Sequence, residues 1–192
     1  MKRAIFLFAF LSLAVGAPSA LAQTVVAEAN VPPDCPVQIT SAACAPTDGG
    51  GHSCNAKFRV GASDVIAIGF KWVLTFADGR THSLRQFIDG ALASNVAFRA
   101  GEEAESGASR TGVKSPDGKP QVPVRAAFQV EFVVPAPGKF WGNAQSPTYW
   151  QMLGQRHGYR QALVRLKSIY ATSGLPALLK ELGVCSGEGC GK

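Results

Sequence analysis

Five cysteines, three histidines and thirteen acidic residues are the groups in this 192-residue chain from which reactive chemistry could be built. The cysteines stand at 35, 44, 54, 185 and 190. Zinc sites use closely spaced Cys or His pairs. Here the intervals are wide and His52 is the only imidazole nearby, so the pattern predicts disulfides and no metal. Cys44 and Cys54 flank the turn-rich stretch Ala45 to Ser53 and are expected to pair, as are Cys185 and Cys190 near the end. Five is odd, so Cys35 is left with a free thiol or a partner on another chain.

Catalysis finds little support in the remaining groups. A cysteine nucleophile needs a base within reach, and no protease-like pattern surrounds any of the five. No Gly-x-Ser-x-Gly elbow is present. Glycoside hydrolysis needs two carboxylates flanking one bond. Glu102, Glu103 and Glu105 share a polar stretch, and Glu131 falls on the outward face of a strand. The ending Ser186 to Lys192 resembles a phosphate-binding loop, but no helix can follow to supply the N-terminus that holds phosphate. No catalytic residue and no cofactor are assigned.

Two features suggest binding. Phe140, Trp141, Tyr149 and Trp150 bring four aromatics to one short junction. Trp141, Tyr149 and Trp150 are candidates to stack on sugar rings or a partner surface; the alternative use of such rings is to dock a helix. From Lys139 to Glu181 there are six basic residues and one acid. Arg156, Arg160 and Lys167 fall within about 40° of one another on an ideal helix, a stripe suited to anionic material.

The elements that must hold these residues are mostly strands. Val37 and Ile39 alternate with polar neighbours, as do Phe58 and Val60, predicting a hairpin closed by Cys44 and Cys54. Ile66, Ile68, Phe70, Trp72, Leu74 and Phe76 occupy six consecutive even positions, so one strand face is wholly apolar. Asp78-Gly79 suggests a two-residue turn, which would place Phe70 opposite Phe87 and His82 beside Thr75. Phe128, Val130, Phe132 and Val134 resume the alternation. The expected fold is mainly β, an antiparallel sandwich at residues 35–138 with a mobile loop at 101–120. A Trp at the centre of such a strand resembles the core of immunoglobulin- and fibronectin-like sandwiches in architecture, with no family implied.

After Gly138 the period changes. Ser146-Pro147 starts a helix whose stripe is Met152, Tyr159, Leu163, Leu166 and Tyr170. Gly174 stops it, and Pro176 opens a shorter helix closed by Gly183. Residues 139–192 are expected to pack on the sandwich as a helical extension.

The beginning of the chain addresses location. Lys2 and Arg3, the apolar run Ala4 to Val15 and Ala20-Leu21-Ala22 read as a bacterial signal peptide over residues 1–22, cut before Gln23. Residues 23–34 then form a flexible lead-in. Cleavage leaves a net charge of about +4, favouring anionic surfaces weakly without implying nucleic acid. No later run is long enough to span a bilayer. The expectation is an exported, periplasmic or extracellular, non-catalytic module that binds an anionic envelope component, a glycan or a protein. A secreted hydrolase with a loop-borne site, and a disulfide-linked assembly accessory, are its rivals.

Overall fold

A computed structural model describes residues 24–47, 51–91, 96–107, 109–114, 117–118 and 121–183. The signal segment and the expected Cys185–Cys190 pair lie outside the described residues. The strands are β1 Val25–Ala29, β2 Val37–Pro46, β3 His52–Val60, β4 Asp64–Phe76, β5 Thr81–Asp89, β6 Glu103–Glu105, β7 Ser109–Thr111, β8 Pro123–Ala136 and β9 Trp141–Gly142; α1 is Pro147–Glu181.

These strands make one curled, mixed sheet in the order β5-β4-β8-β1-β2-β3-β6, with β7 on β3 and β9 on β8. The curl turns on β1. Its first residues, Val25 and Val26, pair antiparallel with β2, while Ala27 to Ala29 pair parallel with β8. One short strand thus leaves one part of the sheet and joins the other. The apolar faces meet inside the curl, where Phe58 of β3 lies 5.4 Å from Phe70 of β4; beside that contact Trp72 lies 4.7 Å from its cross-strand neighbour Phe128 of β8. Ile68, Phe70, Trp72, Leu74 and Phe76 are buried, as the alternation requires.

Several expectations change. A strand, β1, falls in the stretch expected to be a flexible lead-in, and it introduces a parallel pairing into a fold expected to be antiparallel. β6 and β7 fall within 101–120 and pair with β3, because the alternating edge of β3 offers backbone partners to short polar segments as readily as to apolar ones. The β4–β5 turn has three residues. Phe76 N–H donates to the Arg80 carbonyl, and Gly79 takes φ of 79°, the left-handed position of a three-residue hairpin loop. The register therefore slips by one: Phe70 faces Gln86, and His82 faces Leu74. That slip moves Phe87 away from the core, where it joins the helix-covered face.

α1 begins as its sequence directs, with the Ser146 hydroxyl accepting from Tyr149 N–H and Pro147 opening the helix. Thr148 and Met152 are buried, and Met152 packs with Ala67 and Phe132. Gly69 must be glycine, since a Cβ there would fall inside the Phe132 ring. Gly174, with φ 76° and ψ −177°, breaks the helix. Arg165 and Glu181 then meet at 2.7 Å, whereas an unbroken helix would hold them about 24 Å apart. The piece after Gly174 folds back along the first. Among the described residues no helix is long and apolar enough to cross a membrane.

Candidate binding surface

The junction aromatics divide between two uses. Phe140 and Tyr149 stack around Phe132, at 6.2 and 5.2 Å, and around each other at 4.9 Å. Trp141 is half-buried on β9, paired with Val133 and packed against the core. Tyr149 and Trp141 therefore help to anchor α1 and β9, the packing use of such rings, and each keeps part of its surface open to solvent. Burying these rings gains more than leaving them in water. Trp150 alone of the three is exposed, at 55%.

The basic stripe divides in the same way. Arg156 donates from Nε and Nη2 to the two carboxylate oxygens of Asp89, both at 2.7 Å. Both side chains are largely buried, so Arg156 is a bolt between α1 and β5 and is withdrawn from the binding stripe. Beside it, Glu131 accepts from the Thr148 hydroxyl and lies 3.7 Å from Arg85 Nε. The outward face of β8 is therefore covered at Glu131, and a carboxylate sits at the first turn of α1, where the helix dipole favours negative charge.

Beyond this bolt α1 leaves the sheet. All nine residues from His157 to Arg165 are exposed. Of the predicted stripe only Met152 is buried; Tyr159, Leu163 and Tyr170 are exposed at 44, 37 and 57%. The expected packing of the whole extension holds for about the first two turns. The reason is one of matching surfaces. The sheet offers the helix Ala67, Gly69, Phe87 and Phe132, enough to cover those turns, while the helix to Gly174 is about 40 Å long.

The exposed limb carries organised chemistry. Tyr159, Leu163 and Tyr170 lie within about 40° on the helix, and Arg160 and Lys167 sit together about 60–80° round from Tyr170. Arg160 and Lys167 are exposed and have no acidic partner among the described residues. Glu181, the acid nearest in sequence, is taken by Arg165.

Other candidates offer less. Cys44 and Cys54 face each other across β2 and β3 and form a disulfide, as expected. Cys35 has a free thiol, pushed up to about 11 by burial, which makes it a poor nucleophile near neutrality. His52 is buried, and burial holds it below the ordinary imidazole value. His82 and His157 stand exposed on β5 and α1. Open hollows of about 550 and 470 Å³ border β1, lined mainly by Val, Pro and Ala. No group of three His, Cys, Asp or Glu side chains is placed to hold a metal among the described residues. Comparison with protein-family profiles, characterised proteins and solved structures finds no match for this chain.

Proposed function

We propose that this chain is an exported, non-catalytic binding module that associates with the cell envelope through the projecting limb of α1. The observation that carries the reading is that limb: apolar and cationic side chains exposed together on a helix that has left its own sheet. Tyr159, Leu163, Tyr170, Arg160 and Lys167 form the contact surface; Trp150, exposed before the Arg156 bolt, points to the other side of the helix. The signal-like beginning and the Cys44–Cys54 bond support export, because disulfides persist in oxidising compartments. The curled sheet serves as scaffold, and its two facing layers support a sandwich like those of immunoglobulin and fibronectin domains. The likeness is one of layering and not of strand order, since the strands run in one continuous order with a parallel β1–β8 pairing.

Co-sedimentation with isolated bacterial envelopes tests this. Wild type is expected in the pellet, and an Arg160→Ala/Lys167→Ala variant in the supernatant. Wild type remaining in solution, or equal sedimentation of both, defeats the reading.

A further inference from the structure

Resting on the binding-limb reading of α1, we infer that its partner is the headgroup layer of an anionic lipid bilayer. The limb lies along the surface with Tyr159, Leu163 and Tyr170 turned inward and Arg160 and Lys167 at the level of the lipid phosphates.

The first support is the exposure of the helix. From His157 to Arg165 every residue faces solvent, and Gly154 and Gly158 weaken the helix just before and within that run. A solvated helical stretch weakened by glycine draws little stability from propensity alone, since most helical stability comes from packing an amphipathic face. A surface that buries one side supplies the missing support. The second is side-chain chemistry. Tyrosine places a ring in the acyl boundary and its hydroxyl among headgroups, and Leu163 between the two tyrosines adds apolar depth. Arg160 and Lys167 flank the stripe with stems long enough to lie on apolar surface while their charges reach phosphate. The third is charge. The limb face has no acid, and the acids closest to α1 are paired within the molecule, Asp89 with Arg156, Glu131 with Arg85 and Glu181 with Arg165. A second copy packed on the same face would set Arg160 and Lys167 against their own kind, so self-association is the poorer match.

The test uses the full chain with vesicles of phosphatidylcholine alone and of phosphatidylglycerol with phosphatidylcholine (about 1:2), at low and high salt. Wild type is expected to bind only the anionic vesicles, and less as salt shortens the screening length. Each basic side chain near such a surface is worth about a five-fold change, so Arg160→Ala/Lys167→Ala lowers partitioning about twenty-five-fold. Two further variants add the same charge on different sides of the helix. Leu163→Glu, within the stripe, abolishes binding, whereas Ser168→Glu, about 140° away, costs no more than the charge itself, about five-fold. All four substituted side chains are exposed, and an unchanged melting temperature shows that the fold is kept. Equal loss from Leu163→Glu and Ser168→Glu, or no preference for anionic vesicles, overturns the lipid assignment. If vesicles are ignored but envelopes still bind through Arg160 and Lys167, the limb reading stands with a protein or glycan partner. If neither binds, both fall. A dimer in solution that Leu163→Glu dissociates would assign the face to a second copy instead.

Discussion

Trp72 sits between Phe128 and the other even-numbered side chains of β4 with no exposed surface. Its indole N–H has no partner among the described residues, so its contribution there is packing. Trp72→Ala is expected to cost about 3–5 kcal/mol, read by denaturant unfolding; an unchanged midpoint would contradict the placement. Among the described residues His52 is the other buried side chain with an unpartnered polar atom, its Nε2. Burial lowers its pKa in the folded chain, so the unfolded chain takes up the proton first as pH falls. The stability contributed by neutral His52 is therefore complete above the ordinary imidazole range and is lost as pH drops below it. Wild type should lose more stability than His52→Leu between about pH 7.5 and about pH 5, measured by melting temperature. Parallel losses in the two proteins would remove His52 from the account.

At the level of elements, the β2–β3 hairpin and the β4–β5 hairpin are closed differently. Cys44 and Cys54 are direct cross-strand neighbours, so their bond fixes register as well as shortening the loop. Replacing both by alanine should lower stability by about 2–3 kcal/mol in the chain-entropy treatment, and unreduced peptide maps should show the two residues linked. A free thiol at either position would refute the pairing. The β4–β5 hairpin relies on Gly79, whose positive φ costs other residues strain. That glycine sets whether Phe87 faces the core or α1, and the observed loop sends it to α1.

For the whole molecule the question is how a long helix stays joined to a sheet that covers so little of it. The Arg156–Asp89 pair answers for much of that, with side chains 18 and 6% exposed. Burial alone would push Asp89 up, but the Arg156 hydrogen bonds and the Ala91 N–H outweigh it and hold the carboxyl below its ordinary value. The pair's contribution is therefore present above the usual carboxylate range and is lost as pH falls through the lowered value. Arg156→Ala leaves a buried carboxylate without its cation and should cost on the order of 3 kcal/mol. Faster hydrogen exchange is expected at Met152 and Leu153, with β2 and β3 unaffected. Unchanged exchange at Met152 would mean that the apolar contacts hold α1 unaided.

Local pattern was enough for the long strands β2, β3, β4 and β8 and for the helix limits, though not for the short strands β1, β6 and β7. Trp72 lies in an alternation of period two, Cys44 and Cys54 flank a turn, and Ser146-Pro147 and Gly174 bound a helix, each a property of neighbouring residues that the backbone expresses directly. The parallel pairing of β1 with β8 was not legible, because it joins residues about a hundred positions apart and depends on where the curl brings them. How the fold divides the expected binding face was not legible for the same reason. Arg156, Arg160 and Lys167 share one helical stripe, as do Met152, Tyr159, Leu163 and Tyr170, and periodicity treats each set as equivalent. The fold separates them by contact. Arg156 and Met152 meet Asp89 and Phe132, whereas Arg160 and Tyr159, about one turn further on, have passed the edge of the sheet and meet solvent. Helical phase sets which way a side chain points; only the extent of the opposing surface decides whether anything is there to receive it.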